Sequence, residues 1–277
     1  MPRPDALGHR GLLAGAALFV VFAAASLGAP WLAPHDPLGL AAGAGATLER
    51  PSAAHPFGTD ALGRDLLSRV LWGGRVSLAV GIGVEALTAL FGCAVGLVAG
   101  WYGGAVDAVL MRVTDVVMAF PSLVLAIGLI AVFERPGLDK VVLVLVALGW
   151  TTIARVVRGA VLALRTRDHV QAARALGASN LAIMTRHLLP NALGPLLVAA
   201  TLGVGGNMVA EAGLSFLGLG AQSPTISWGA LLADGQSFLA SAPWVAVFPG
   251  AALLLAVLAV NLLGDGLRDV LDPRFRA

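Results

Sequence analysis

Six long apolar segments constrain this chain more than any other feature of its sequence. A helix that crosses the hydrocarbon core of a bilayer needs about 20 predominantly apolar residues. Segments of this kind lie at residues 11–32, 76–101, 106–133, 141–164, 191–216 and 244–263. A water-soluble fold could not bury so much apolar surface, because 58% of the residues are hydrophobic and only 12% are charged. The sequence therefore predicts an all-α, polytopic membrane protein with six transmembrane helices.

The arginines and lysines between these segments favour one orientation. Cytoplasmic loops of membrane proteins carry an excess of these residues. With the N-terminus in the cytoplasm, twelve of them lie inside and six outside. We therefore expect an N-in, C-in topology, with cytoplasmic tails at 1–10 and 267–277 and a five-helix core at 76–266. Residues 11–32 also resemble a cleavable signal peptide, but the five apolar segments that follow favour an uncleaved transmembrane helix 1.

The longest segment between two apolar runs, residues 33–75, is expected to be extracytoplasmic. Its first part is rich in proline and glycine, and its second part has leucines and valines at helical spacing. Thr59 or Asp60 could cap an amphipathic helix there, and Gly73-Gly74 would end it before the next span. A helix of this type suits the outer interface of the bilayer. It is either a connector or an outer gate or docking surface, and the sequence leaves both open.

A polar stretch at residues 165–189 interrupts the apolar sequence between the fourth and fifth segments. Asp168 and Gln171 have the spacing of a capping box, so a helix should begin near residue 168. Gly177 has the place of a glycine that ends this helix. The charge count puts this stretch in the cytoplasm, where it could contact a soluble partner.

The second half of the stretch predicts another short helix. Ser179 could cap a helix that runs through His187, and Pro190 suits the first turn of the following span. The first helix also has small side chains on one surface, at Ala172, Ala173 and Ala175. We expect two short helices with a glycine corner along the membrane surface, able to fit closely into a groove. An ordinary loop that follows the positive-inside rule is the alternative.

Three polar residues of the apolar segments are the main candidates for groups that lie at membrane depth. Glu85 lies in the second segment, and Asn207 and Glu211 lie in the fifth. Ionisable side chains are costly in hydrocarbon, so they usually face the interior of a helix bundle or a water-filled path. The three residues are therefore candidates for a translocation path or gate. A hydrogen-bonded contact between helices is the alternative for Glu85.

The chain has no sequence motif for catalytic or nucleotide chemistry of its own. It has no Gly-x-x-x-x-Gly-Lys-Ser/Thr phosphate-binding loop, and its one lysine is Lys140. Cys93 is alone, and the five histidines lack metal-ligand spacing. A nucleic-acid-binding surface would need clustered basic residues. We therefore expect a transport path without catalytic residues, metal or bound cofactor. A passive channel, a secondary transporter and an intramembrane enzyme are the alternatives.

The sequence resembles a known family most specifically at residues 171–195, QAARALGASNLAIMTRHLLPNALGP. This stretch is similar to the cytoplasmic EAA loop of binding-protein-dependent ABC importer permeases. Gly177 and Leu189-Pro190 have the family spacing, whereas Gln171 replaces the family's leading glutamate. Other segments resemble the dipeptide/oligopeptide/nickel permeases, above all the C-type second subunit. They are HPFGTDALGRDLLSRVLWGGRVSL (55–78), AGWYGGAVDAVLMRVTDVVMAFPSL (99–123), ARVVRGAVL (154–162), EAGLSFLGLGAQSPTISWGALLADG (211–235) and NLLGDGLRDVLDPRFR (261–276).

The resemblance implies a type I ABC importer permease fold and a multi-pass location in a bacterial or archaeal cytoplasmic membrane. It implies a homologous permease as partner, two ATP-binding cassette ATPase subunits that use ATP and Mg, and an extracytoplasmic substrate-binding protein. Dipeptides, oligopeptides, nickel, glutathione or related small solutes are the substrates it implies, carried by alternating access. The ATPase-coupling loop would include Asp168, Gln171, Ala172, Ala173, Gly177, Ala178, Ser179, Arg186, Leu189 and Pro190.

Overall fold

The computed structural model describes residues 4–39 and 47–271, with side chains from Gly11 onward. Regular structure in these residues is helical, as the sequence predicts. The helices are α1 (Pro4–Leu27), α2 (Ala29–Leu32), α3 (Leu66–Tyr102), α4 (Gly104–Met118), α5 (Ser122–Ile130), α6 (Leu138–Leu164), α7 (Asp168–Ala175), α8 (Asn180–Ile183), α9 (Leu189–Phe216), α10 (Trp228–Gln236) and α11 (Trp244–Leu271). The predicted tails lie partly outside the described residues, at 1–3 and 272–277.

Four elements in the described residues are long and apolar enough to cross a bilayer. They are α3, α6, the continuous helix Asn180–Phe216 and α11. The pair α4 and α5 qualifies as a fifth, broken span with a bend of 84°. The apolar part of α1, Gly11–Leu27, is shorter than these. Length and composition thus give four or five spans, and a sixth span at 11–32 stays a prediction.

Helix α1 packs closely along α11. A Cβ atom at Gly15 would lie 2.7 Å from the backbone nitrogen of Leu263, and one at Gly266 would lie 2.6 Å from Cβ of Leu12. Glycines at helix contacts let two backbones approach, which is a common way to pack helices in membranes. The first apolar segment is therefore part of the helix bundle and packs against the last helix.

Helix α3 has 37 residues and is about 55 Å long. Asp65 caps its first turn by accepting a hydrogen bond from the backbone nitrogen of Ser68 at 2.8 Å. Thr59 and Asp60, the predicted caps, lie in the turn before the helix. The helix continues to Tyr102, so the prediction of a separate amphipathic helix in this region is wrong.

The glycines at positions 73 and 74 lie inside α3 because neighbouring side chains occupy the space beside them. A Cβ atom at Gly74 would lie 2.2 Å from Oγ of Ser26 and 2.8 Å from Cζ2 of Trp228. The cost of glycine in a helix interior is about 1 kcal/mol relative to alanine. Packing of α1 and α10 against this surface offsets that cost, and the predicted helix end at Gly73-Gly74 is absent.

Glycines also bring α3 and α6 into close contact. A Cβ atom at Gly92 would lie 2.5 Å from the carbonyl oxygen of Trp150, and one at Gly96 would lie 2.6 Å from that of Ala154. The two glycines are four residues apart, so they share one face of α3. This face fixes the two helices as a close pair at the centre of the bundle.

The break between α4 and α5 lies at Pro121. Helix α4 ends at Met118, and α5 begins at Ser122, directly after the proline. Proline has no backbone N–H and clashes with the preceding helical turn, which ends or bends a helix. The chain therefore bends by 84° at this proline, between two short helices that together are long and apolar enough to cross a bilayer.

Helix α3 separates two polar segments of the chain, one at each of its ends. At its N-terminal end, the buried Trp228 of α10 donates from Nε1 to an α3 carbonyl oxygen at 2.9 Å. At its C-terminal end, Arg165 donates from Nη1 to the carbonyl oxygen of Gly100 at 3.1 Å. The segment 47–65 leads directly into the N-terminal end of α3, so it and the stretch 165–189 lie at opposite ends of this helix.

Candidate functional site

Residues 165–189, the docking loop, begin with a well-defined short helix. Helix α7 starts at Asp168, as predicted. The predicted capping box is wrong, because Arg167 holds the N-cap position and Gln171 donates from Nε2 to the carbonyl oxygen of Arg165 at 2.7 Å. Asp168 lies in the first turn instead, where its carboxylate interacts favourably with the helix N-terminus.

Gly177 turns the chain at the end of α7. Its φ of +81° is a left-handed conformation that glycine adopts without strain. The backbone nitrogen of Gly177 donates to the carbonyl oxygen of Arg174 at 3.0 Å, and that of Ala178 donates to the carbonyl oxygen of Ala173 at 3.1 Å. These two bonds form a Schellman motif, which confirms the predicted glycine corner.

The second helix of the docking loop continues into the next span. Ser179 accepts a hydrogen bond from the backbone nitrogen of Ala182 at 3.3 Å, which confirms the predicted cap. The predicted end near His187 is wrong, because Met184–Leu188 forms a π-helical turn that leads directly into α9. Pro190 lies in the first turn of α9, as predicted. The wider π turn lets one helix run from the corner into the membrane.

Buried side chains hold the docking loop in a fixed orientation. Val170, Ile183 and Leu188 are fully buried. They pack in one apolar cluster with Val157 and Val161 of α6. Burial of a side chain of this size stabilises the fold by about 1.5–3 kcal/mol. The corner is therefore held in a fixed position relative to the transmembrane helices.

The outward surface of the docking loop has two exposed leucines beside the glycine corner. Leu176 is 88% exposed and Leu181 is 68% exposed. The two leucines lie on either side of Gly177 in the sequence, which makes them candidates for contact with a partner. Sequence reasoning did not select this pair, although two leucines near Gly177 in a polar stretch were the available signal. Among the predicted loop residues, those exposed are Asp168, Gln171, Ala172, Gly177, Ser179, Arg186 and Pro190, and those half-buried are Ala173, Ala178 and Leu189.

Two ion pairs tie the broken span to α6 near the docking loop. Asp107 binds Arg158 through both carboxylate oxygens, with 2.6 Å between Nη2 and Oδ2. Asp115 and Arg155 pair at 2.6 Å. A two-pronged arginine–carboxylate contact fixes geometry as well as distance. A displacement of the docking loop end of α6 would therefore be passed to α4.

A cavity of about 910 Å³ lies between α3, the α4–α5 break, α6 and α9. Its walls are mainly apolar. Phe120 and Ser122 line it at the break, Thr151 and Thr152 line it from α6, and Gly206 lines it from α9. The bend at Pro121 thus places irregular backbone beside the cavity. A volume in this range can hold a small organic solute.

Glu85 and Asn207 form the polar centre of the cavity wall. Asn207 donates from Nδ2 to Oε2 of Glu85 at 2.8 Å. A Cβ atom at residue 203 would lie 2.2 Å from the same oxygen, so Gly203 leaves room for the carboxylate. Oε1 of Glu85 is buried and has no hydrogen-bond partner within the described part of the chain. The structure therefore brings together two of the three predicted path residues, with one free acceptor.

Glu211, the third of these residues, lies elsewhere. It is fully buried and does not line the cavity. Ser215 donates to its Oε1 at 2.6 Å, and Ser77 lies 3.4 Å from its Oε2. Ser77 in turn accepts a hydrogen bond from the backbone nitrogen of Trp228 at 3.1 Å. Glu211 thus connects α9 with α3 and with the start of α10.

Comparison with known proteins agrees with this architecture. A family model described as "Binding-protein-dependent transport system inner membrane component" matches residues 92–277. The dipeptide transport system permease protein of Alkalihalophilus pseudofirmus is 43% identical over 230 residues, which cover 83% of this chain and 75% of that protein. The glutathione transport system permease protein of Pectobacterium atrosepticum is 44% identical over 229 residues, covering 83% and 76%.

A relative that matches nearly the whole chain extends this likeness to the first apolar segment. The di/tripeptide transport system permease protein of Pseudomonas aeruginosa is 39% identical over 272 residues, which cover 97% of this chain and 89% of that protein. The resemblance seen at residues 171–195 is thereby confirmed. The chain belongs to the family of binding-protein-dependent transport system inner membrane components.

Proposed function

We propose that the chain is a permease subunit of a binding-protein-dependent ABC importer for dipeptides, oligopeptides or a related small solute such as glutathione or nickel. The observation that carries this proposal is the docking loop. Its corner is rigidly attached to α6 and α9 and presents Leu176 and Leu181 outward. A protein that transported its solute alone would have no evident use for such a surface. The relatives named for dipeptide, di/tripeptide and glutathione transport support this substrate class.

This proposal implies partner subunits that hydrolyse ATP and complete the translocation path. Two ATPase subunits would bind the docking loop and hydrolyse ATP with Mg, and a homologous permease would complete the translocation path. The docking loop would then be cytoplasmic, as the N-in, C-in topology with six spans requires. The opposite end of the bundle would face a substrate-binding protein outside the bacterial cytoplasmic membrane.

We assign the cavity to the translocation path, with Glu85 and Asn207 as its polar contact for the solute. The free oxygen of Glu85 supports this role, because a buried carboxylate oxygen without a partner is costly unless a ligand or water satisfies it. Glu211 lies outside the cavity, so it would act as part of a gate rather than on the path. Its hydrogen bond to Ser77, which also accepts from the backbone nitrogen of Trp228, would couple movement of α9 to α3 and α10.

A secondary transporter or channel is the second candidate. The broken span α4–α5 and the carboxylate of Glu85 favour it, because such proteins build sites from interrupted helices at membrane depth. The two candidates differ in their need for ATP.

Reconstitution distinguishes them. The purified chain alone in liposomes should show neither ATP hydrolysis nor solute uptake. The chain reconstituted with its homologous permease, the ATPases and the binding protein should accumulate a labelled dipeptide only when ATP is enclosed on the ATPase side. Uptake by the chain alone, driven by a proton or sodium gradient, would contradict the importer and support a secondary transporter.

Replacement of Glu85 by glutamine should lower dipeptide uptake by about tenfold, equivalent to about 1.4 kcal/mol. The amide keeps the size of the side chain and can still accept the hydrogen bond from Asn207, but it lacks the negative charge. Initial rates of uptake in proteoliposomes measure the effect. Glu134→Gln, in the exposed loop before α6, is the matched control and should transport normally. Unchanged kinetics in Glu85→Gln would favour a purely structural contact between α3 and α9.

A further inference from the structure

Three potential metal ligands meet at the N-terminal end of α3, although they are far apart in the sequence. His35 follows α2, His55 lies in the segment before α3, and Asp65 caps α3. Nδ1 of His55 lies 2.9 Å from Oδ1 of Asp65, and Nδ1 of His35 lies 3.7 Å from the same oxygen. One ligand atom from each residue lies within 4.8 Å of the others. From this arrangement we propose that His35, His55 and Asp65 bind a divalent transition-metal ion such as Zn²⁺.

The carboxylate of Asp65 is held in place by hydrogen bonds that leave one oxygen for a ligand. Its side chain is fully buried. Oδ2 accepts hydrogen bonds from the backbone nitrogen of Ser68 at 2.8 Å and from its Oγ at 2.7 Å. Oδ1 faces the two imidazole rings. Because the capping oxygen and the ligand oxygen are different atoms, metal binding would not disturb the start of α3.

The two histidines are positioned by the backbone and reachable from solvent. The backbone nitrogen of His35 donates to Oγ of Ser68 at 3.1 Å, which fixes His35 beside the cap. The ring centroids of His35 and His55 are 4.7 Å apart. The side chain of His35 is 45% exposed, whereas that of His55 is 13% exposed. The site therefore has one open side, through which an ion can arrive and a water ligand can complete its shell.

The donor set and the spacing fit zinc. Imidazole nitrogen and carboxylate oxygen bind Zn²⁺ at about 2.0–2.2 Å in a tetrahedral arrangement, which puts neighbouring donors about 3.3 Å apart. The observed separations of 2.9 and 3.7 Å from Oδ1 lie on either side of this value. Mg²⁺ and Ca²⁺ prefer sites made entirely of oxygen atoms. A site with two imidazole nitrogens therefore favours a transition-metal ion over Mg²⁺ or Ca²⁺.

Hydrogen bonding alone accounts for only part of this cluster. The 2.9 Å contact joins His55 to Asp65, but 3.7 Å is too long for a hydrogen bond from His35. The neighbouring positive charges are also compensated, because Arg64 and Arg69 both pair with Asp60. A dipositive ion would therefore not face an uncompensated charge on Arg64 or Arg69, and it would join the segment after α2 to the start of α3.

Zinc titration of the full-length chain in nanodiscs, after removal of bound metal, tests the proposal. Isothermal titration with Zn²⁺ should give one saturable site per chain, and Mg²⁺ should give none. His35→Ala should weaken Zn²⁺ binding by at least about tenfold. Asp65→Asn should do the same while keeping the helix cap, since asparagine also caps helices. The double variant His169→Gln/His187→Gln, in the docking loop, should bind as the unchanged chain does.

A stability measurement gives a second readout that does not depend on transport. Zn²⁺ should raise the thermal unfolding temperature of the unchanged chain and of the docking loop control, because a ligand that binds only the folded state stabilises it. It should not raise that of His35→Ala. Absence of saturable Zn²⁺ binding, or equal affinity in the unchanged chain and His35→Ala, would overturn the proposal. His35 is a surface residue, so this variant decides the question even if Asp65→Asn fails to fold.

Discussion

Replacement of Gly177 by valine is expected to lower ATP-driven uptake by about tenfold or more while leaving the chain folded in the membrane. The φ of +81° at this position is strained for a β-branched residue by about 1–3 kcal/mol. A Cβ atom there would meet no atom within 4 Å apart from its chain neighbours, so the effect acts mainly through the backbone. Relief of the strain would open the corner and move Leu176 and Leu181 apart. If the binding free energy between this corner and the ATPase falls by about 1.4 kcal/mol or more, their association weakens by about tenfold or more.

Gly177→Asn is the matched control, because asparagine tolerates the left-handed conformation far better than valine does. It should retain most of the uptake measured in the reconstituted importer. Membrane insertion, measured by the amount of chain in purified membranes, should be equal for both variants. Normal uptake in Gly177→Val would contradict the assignment of this corner as the ATPase docking surface.

Replacement of Arg69 by methionine should destabilise the fold by about 3 kcal/mol, because it breaks a buried ion pair. Arg69 is 5% exposed and pairs with Asp60, which is 1% exposed. It also pairs with Asp234 of α10 at 3.2 Å. The change would leave the buried carboxylate of Asp60 with Arg64 as its remaining ion-pair partner in the described residues, at 2.7 Å. Equilibrium unfolding in mixed micelles measures the loss.

Arg75→Met is the control for this variant. Arg75 lies in the same helix, above the ring of Trp72 at 4.8 Å, and its loss should cost less than about 1 kcal/mol. Adding Asp60→Asn to Arg69→Met should recover part of the stability, because it removes the charge of a buried carboxylate that has lost one of its two ion-pair partners. Equal destabilisation by the Arg69 and Arg75 changes would show that the ion pairs contribute little.

Features that depend on local chemistry were visible in the sequence. Pro121 breaks the third apolar segment, and Gly177 and Ser179 form the corner that their positions predicted. These residues act on the backbone within one turn of themselves, so their effects can be predicted without knowledge of distant contacts. The capping box at Asp168 and Gln171 does not form, because Gln171 donates instead to the carbonyl oxygen of Arg165, which lies six residues before it.

The boundaries of α3 differ from those that local sequence signals predict, because tertiary contacts outweigh those signals. Asp65 caps the helix rather than Thr59 or Asp60, because Asp60 already binds Arg64 and Arg69. Gly73 and Gly74 would end an isolated helix, yet the helix continues through them. The space beside these glycines is filled by side chains from α1 and α10, and burial against those helices outweighs the local cost of glycine.

The sequence by itself determined that this chain is helical, that most of it suits hydrocarbon, and where its backbone turns and breaks. Those properties follow from side-chain hydrophobicity and from steric limits on single residues. Only the tertiary structure decided which polar groups meet. It joined Glu85 to Asn207 across 122 positions and placed Glu211 outside the cavity. It also gathered two histidines beside Asp65. These pairings depend on how distant helices pack, and no local pattern encodes them.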